Sequence, residues 1–412
     1  MGQINTGDTA FVLVAAALVM FMTPGLALFY GGMVRTKNAL ATIMQSFFIV
    51  ALVSVLWALV GYSLAFGPDK GHLIGGLEWA GLRGVGQAPN PDYAATIPHL
   101  AFMIFQGMFA VITPALITGA FAERMRFRGF VLFIVLWSLI VYAPICHWVW
   151  GVGGWIRNMG ALDFAGGTVV HISSGVAALA AALLLGRRRD YGSAVLRPHN
   201  LPMTVLGAAI LWFGWFGFNA GSALTAGGLA CNAFVVTHLA AAAAAISWVV
   251  AEWLHRGKPT TLGAASGCVA GLVAITPASG FVSPMPALVI GLLAGAGCYG
   301  AVLAKWRMGY DDSLDVVGIH GAGGCLGALC TGVFASKAVN SAGASGAIFG
   351  NFPLLQAQAV AIAATIAYSF VATFIILKVL ALTAGLRVTD DEEDSGLDLT
   401  QHSEAAYVFE LG

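Results

Sequence analysis

Charge is scarce in this chain: Asp, Glu, Lys and Arg together make up 9% of its 412 residues, where a water-soluble domain carries roughly 25%. Cysteine is scarce too. The six present, at 146, 231, 268, 298, 325 and 330, form no CxxC pair and sit in or beside apolar runs. They argue against a disulfide scaffold or a thiolate metal site and read as small buried apolar residues. No P-loop or dinucleotide fingerprint occurs, and basic residues gather only at the ends of apolar runs. Nucleic acid and ATP are therefore not expected as partners. Residues 1–9 hold Asp8 and no basic residue, so they lack the positive segment of a secretory signal, and the first apolar run is expected to remain in the folded protein.

What the chain has instead is apolar length. Hydrophobic residues make up 59%, and runs near the length of about 20 residues that crosses a bilayer fall at 10–31, 39–66, 98–121, 129–150, 167–186, 201–220, 229–253, 262–278, 284–304, 316–336 and 356–385. The sequence thus predicts an all-α integral membrane protein with eleven transmembrane helices. Gly and Pro dilute the pattern most at 201–220 and 262–278. Many of the 53 glycines lie with Ala or Ser inside these runs, where small residues let helices approach closely in lipid.

Orientation follows from the distribution of Lys and Arg. With the N-terminus outside and an odd number of spans, fifteen of the 19 fall on inner loops or span ends, and four, Lys70, Arg83, Arg157 and Lys337, fall outside. That is the positive-inside asymmetry, and it places the C-terminus inside. Segment 68–97 then reads as an extracellular loop. From Val388 the composition turns polar, with acids at 390–394, so the chain divides into a membrane domain, 1–387, and a cytoplasmic tail, 388–412.

A short internal repeat sets DFAGGTVVHISSG (163–175) beside DVVGIHGAGG (315–324). In each, an Asp precedes a His and a Gly follows that His by four residues. If five helices form a repeat, helices 1–5 and 6–10 are related by inverted topology and the eleventh is left over. Ionisable groups inside spans are costly and by default functional, and His171 and His320 are such groups. At about 1.5 Å per residue, His171 lies roughly 12 Å from Asp163 and His320 about 7–8 Å from Asp315. Both fall within the hydrocarbon, His171 toward the outer side and His320 toward the inner. Either alone reads as well as a satisfied core histidine, whereas a pair at matched repeat positions points to a shared site.

The segments ALDFAGGTVVHISSG (161–175), PHNLPM (198–203), GWFGFNAGSA (214–223), GKPTTLGAASGCVAGLVAITPASG (257–280) and DVVGIHG (315–321) resemble the Amt/Mep/Rh ammonium transporters, and within them the Amt branch. The resemblance implies a transporter, not an enzyme, in the cell (inner) membrane, with no cofactor and no resident metal. It implies an outer ammonium-recruitment site walled by Trp150 and Phe109 with Ser222 as hydrogen-bond acceptor, a gate of Phe109 and Phe218, and a pore past His171 and His320. Without it, Trp150 reads as a membrane-interface aromatic and the two phenylalanines as core rings. Asp163 is implied to cap backbone groups and lend negative potential, with Asp315 in an analogous supporting role. Asp311 and Asp312 read as ordinary interfacial charge. The resemblance also implies a homotrimer and a PII-type regulatory protein docking at the tail, although Ser403 and Ala405 depart from the family's tail pattern.

Moving a full charge into low dielectric costs tens of kcal/mol in the idealised limit, while a cation–π contact returns about 0.5–2 kcal/mol. Ammonium can shed its charge as a proton and potassium cannot, so two imidazoles in an apolar passage suit a route for ammonia. Burial disfavours imidazolium, so the pair is expected to be mostly neutral, in a geometry that also suits a proton relay. Two other classes compete. An ammonium sensor would need an output module, and about 25 residues after the last span fall short of a usual domain; an Rh-like gas channel would lack the Trp150 and Ser222 pair. An intramembrane enzyme finds no paired acids, metal cluster or nucleophile with its base.

Overall fold

The computed structural model describes residues 3–192 and 196–407. Ten helical segments among these are long and apolar enough to cross a membrane: α1 Thr6–Met33, α2 Thr36–Phe66, α3 His99–Ala120, α4 Phe127–Asn158, α5 Gly167–Leu185, α6 Leu201–Gly221, α7 Gly228–Arg256, α9 Pro284–Met308, α10 Val317–Phe334 and α11 Phe352–Thr383. Between α7 and α9 lies α8, Thr261–Ile275, apolar but only 15 residues long. At about 1.5 Å per residue it spans roughly 22 Å, short of a hydrocarbon core of about 30 Å. The run 262–278 is therefore helical over less of its length than the sequence reading gave it. Residues 276–281 form turns, and Pro277 in them gives its carbonyl to the amide of Phe164 at 3.1 Å, just before α5.

Local chemistry starts these helices where it should. The Asn5 side chain accepts from the amides of Gly7 and Asp8, Asn200 accepts from Met203, and Thr260 accepts from Gly263, each satisfying amides that a first helical turn leaves bare. The helices then pack through small residues. A side chain at Gly25 or Gly32 of α1 would collide with α6, and one at Gly207, Gly214 or Gly221 of α6 would collide with α1 or, for Gly221, also with Phe105. Lipid offers no hydrophobic drive between helices, and close backbone approach takes its place.

Four spans contain a stretch of π-helix: Trp57–Gly61 in α2, Ser138–Tyr142 in α4, Gly167–Ile172 in α5 and Val317–Gly321 in α10. Such wide turns interrupt the regular ladder and recur at functional sites. The last two carry His171 and His320. α3 and α5 are the most enclosed of the long helices, with 83% of their most apolar stretch buried.

The connection 68–97, read from sequence as a polar loop, holds a small antiparallel hairpin, Asp69–Lys70 with Ile74–Gly75. At the other face of the bundle, residues after α11 fold back on the loops. The Val388 amide donates to Arg124 O at 3.1 Å, and two short helices follow, α12 Asp390–Ser395 and α13 Leu397–His402. Thr389 and Glu392 form a capping box on α12. Asp398 accepts from the amides of Leu40 and Ala41 at 3.0 and 2.8 Å, where α2 begins its regular turns.

Candidate functional site

α5 and α10 meet at their broken turns, and glycine permits it. A Cβ at Gly175, four residues after His171, would strike the backbone of Gly321, while one at Gly324, four residues after His320, would lie 3.1 Å from the Cβ of His171. The result is a close pair of rings. Nδ1 of His171 lies 3.3 Å from Nδ1 of His320, the ring centroids are 5.3 Å apart, and both side chains are buried. A hydrogen bond between two ring nitrogens needs one donor and one acceptor. One ring therefore carries its proton on Nδ1 and presents a bare Nε2, and the other presents Nε2–H. The buried Nε2 of His171 has no protein partner.

Both rings line a narrow cavity of about 10 Å³, closed otherwise by apolar side chains including Leu26, Ile112, Leu211, Trp215, Phe218 and Val269. That is close to the least volume that holds one water. The Trp215 indole lies nearly parallel to His171 at 5.4 Å and is fixed by donating to Thr276 Oγ1 at 2.9 Å. Phe218 covers His171 from the next turn at 6.1 Å.

Beyond Phe218 the aromatic stack continues. Phe109 meets Phe218 at 4.4 Å between centroids and stands edge-on to Trp150 at 5.8 Å. Past them opens a pocket of about 210 Å³ lined by Trp150, Asp163, Ser222, Tyr93, Phe102 and Gln106 among others. The Ser222 hydroxyl donates to Phe218 O at 2.8 Å, which leaves its oxygen free to accept. The Trp150 indole donates to Asp163 O at 2.8 Å. Trp150, Phe109, Phe218, His171 and His320, from five separate helices, thus form one continuous series from pocket to ring pair, with Ser222 beside its entrance.

Asp163 lies outside α5, which begins only at Gly167, so its distance from His171 is not a helical rise over eight residues. Its carboxylate accepts from the amides of Gly166, Gly167 and Thr168 at 2.7–2.8 Å, from Val169 at 3.3 Å and from the Thr168 hydroxyl. The residue that does the same for α10 is Asp312, which takes the Val317 amide at 2.8 Å. Asp312 precedes His320 by eight residues, as Asp163 precedes His171. Asp315, the residue matched to Asp163 by sequence, sits in a left-handed backbone conformation (φ 63°) and pairs with Lys305 of α9. That conformation turns the chain toward α10 and sends the Asp315 carboxylate sideways.

Nor are Asp311 and Asp312 interfacial charges, for both are buried. Arg188 binds Asp311 through Nε at 2.9 Å and through a second nitrogen at 3.0 Å, and reaches Glu123 at 3.2 Å; Glu123 also holds Arg35 at 3.0 Å. Burial works to raise the Asp311 and Glu123 carboxyls, yet the arginines beside them hold both below the usual carboxylate range. Asp312, facing Asp315 as well as Lys305, is instead pushed up to about 6, chiefly by burial. A cavity of about 500 Å³ lies here, lined by Arg188, Tyr191, Lys305, Asp311 and Asp315 among others.

Two residues escaped the sequence reading. Trp215 looked like one more apolar residue in α6. Gln358 was legible as a polar group inside the run 356–385; it bonds both backbone groups of Leu162 and, at 3.0 Å, Ala328 O, tying α11 to the entry of α5 and to α10. Among the described residues no cluster of three or more metal-ligating side chains occurs.

The sequence pattern of the Ammonium Transporter Family matches residues 10–407. The chain is 58% identical to an ammonium transporter of Bacillus subtilis over 402 residues, 97% of this chain and 98% of that one. The solved structure of Saccharomyces cerevisiae Mep2 superposes with a TM-score of 0.89 at 39% identity, covering 94% of this chain and 89% of that one. A structure named Sensor Amt Protein superposes at 0.88 with 30% identity, covering 96% and 98%.

Proposed function

The chain belongs to the ammonium transporter family, and from that premise we propose that it carries ammonium across a cell membrane: the ion is recruited in the Trp150 pocket, gives up a proton, and passes as ammonia beside His171 and His320. The observation that carries this reading is the buried ring pair, 3.3 Å between Nδ1 atoms, below an aromatic stack and along a cavity too small for a hydrated ion. Recruitment needs only a cation–π face and an acceptor, which Trp150 and Ser222 supply on the pocket wall at about 0.5–2 kcal/mol, with the buried Phe109 edge-on to Trp150 behind them. Dehydrating the ion in the apolar passage costs far more, so neutralisation precedes passage. Past Phe109 and Phe218, a travelling ammonia meets one bare Nε2 and one Nε2–H. The shared Nδ1 hydrogen bond gives a proton a route between the rings, the relay that would accompany the gas.

The finer architecture belongs to the same proposal. Eleven spans, α8 being continued by the turns at 276–281, with α1–α5 and α6–α10 as inverted repeats and α11 added, are supported by the equal spacing of Asp163 and Asp312 from their histidines and by the reciprocal glycine contacts. The basic-residue asymmetry supports the Trp150 face outside and the tail inside. Asp163 acts on the site by fixing the α5 terminus, and Asp315 by holding Lys305 at the inner mouth. Residues 1–387 form the transport domain and 388–412 the cytoplasmic tail, in a homotrimer of the cell (inner) membrane whose tail meets a PII-type protein.

Uptake of ammonium into liposomes holding only this protein tests the reading. His171→Ala and His320→Ala are expected to alter rate and selectivity, and Trp150→Leu to weaken apparent affinity. If both histidine variants keep the native rate and exclude potassium as before, the mechanism is wrong. The likeness to a protein named as a sensor favours ammonium sensing as the second reading, and the same liposomes separate the two, since a sensor without flux would accumulate nothing.

A further inference from the structure

Trp150 ends the long helical part of α4, and a strap from the 68–97 connection holds that end. The Trp148 indole donates to Leu73 O at 2.8 Å, the Trp155 amide donates to His72 O at 3.3 Å, and His72 Nδ1 lies 2.7 Å from Gly153 O. Beneath the strap is His147, fully buried, with Nδ1 3.0 Å from Ala65 O and Nε2 2.9 Å from Asp69 Oδ1.

A carbonyl oxygen only accepts, and so does an ionised carboxylate. A neutral imidazole has one N–H and would turn a lone pair toward one of those two oxygens. Both contacts are satisfied when the ring carries two N–H groups and Asp69 balances the charge. His72 is the other titratable group on that carboxylate, 3.2 Å from Oδ2. In keeping with this, Asp69 sits below the usual carboxylate range: its slight burial acts upward and is outweighed by hydrogen bonds from His147 and from the His72 amide.

We propose that His147 and Asp69 form an imidazolium–carboxylate clasp that positions Trp150 for cation recruitment. The inference rests on the recruitment reading above. His147 is a positioning residue, three places before Trp150 in the same helical end. The chain turns directly over its ring, since a Cβ at Gly151 would lie 2.5 Å from His147 Nδ1 and one at Gly154 would strike His147 O. Closed, the clasp keeps His147 from adding to the positive charge of Arg157, which lines the same pocket and donates to Trp150 O at 2.6 Å. Without Asp69, either the His147 charge stands uncompensated or the ring drops a proton and loses one of its two anchors. Each outcome weakens recruitment and leaves the His171 and His320 pair untouched.

Ammonium uptake into proteoliposomes of the full chain is measured against concentration for the native protein, Asp69→Asn, Asp69→Glu and Trp150→Leu. The clasp gives Asp69→Asn an apparent KM about five-fold higher with the maximal rate within about two-fold, and Asp69→Glu recovers most of the loss. An unchanged KM in Asp69→Asn beside a raised KM in Trp150→Leu overturns the clasp and leaves recruitment standing. An unchanged KM in Trp150→Leu removes recruitment and the clasp with it. Should Asp69→Asn not be recovered folded, the nitrogen NMR signals of the native His147 ring, assigned through the Cys146–His147 peptide link, decide: two protonated ring nitrogens support the clasp and a bare one overturns it.

Discussion

His171 and His320 face each other through their Nδ1 atoms at 3.3 Å, although 149 residues separate them in the chain. Each ring fixes the tautomer of the other, so the two act as one unit. Replacing either by alanine leaves its partner with a buried, unmatched nitrogen, a cost of about 1–3 kcal/mol. The double replacement is therefore expected to slow ammonium uptake little more than the worse single one, a coupling readable from a double-mutant cycle of uptake rates. Strict additivity would mean that the rings work independently.

Asp163 should weigh more in stability than Asp315. Asp163→Ala strips four amides and a hydroxyl of their acceptor, and a loss of about 2 kcal/mol or more is expected. Asp163→Asn keeps an accepting oxygen and should cost less. Asp315→Asn keeps an oxygen that can accept from the buried Lys305 ammonium, which Asp312 O also holds at 2.7 Å, and should cost less than Asp163→Ala. Melting temperatures of the three purified variants give the order directly.

The Asp312 carboxyl gives a pH signature. Burial, aided by Asp315 and opposed by Lys305 and the amides of Val316 and Val317, raises it from 3.8 to about 6. Between about pH 4 and pH 6 the folded chain keeps a proton there that the unfolded chain has released. Stability from this group therefore falls as pH rises through that window, by roughly 3 kcal/mol for a displacement of about two pH units. Asp311 and Glu123, held low, have the opposite sign: their contribution is present above the unfolded value and is lost as pH falls. Melting curves of native protein and Asp312→Asn across the window should differ by a term that favours the native chain at the acid end. A constant difference would refute the assignment.

Regulation through the tail can be tested at its anchor. Asp398→Ala releases the amides of Leu40 and Ala41 and should loosen α13, seen as faster proteolysis after residue 388. Deleting residues 388–412 should abolish inhibition of uptake by an added PII protein; inhibition that persists would exclude the tail as its docking element.

Several features were legible in the sequence because they are properties of single residues. The histidines stood out as ionisable groups within apolar runs. Asp312 did not, for the stretch DDSLD offers three carboxylates within five residues, and spacing alone does not say which one turns back to the amide of Val317. The left-handed turn at Asp315 settles that. The wide turns under both histidines were equally hidden, since the same residues would suit a regular helix.

Transfer from water to lipid is a cost carried by each residue, so composition and run length alone specify a helical membrane protein, the approximate extent of its spans and the two imidazoles inside them. How near those imidazoles come, which acid caps each broken helix and what braces the end of α4 that carries Trp150 are set by tertiary packing. Those depend on the crossing of α5 with α10 and on a hairpin laid against α4. Contacts between segments far apart in the chain follow from packing geometry, which no local composition encodes.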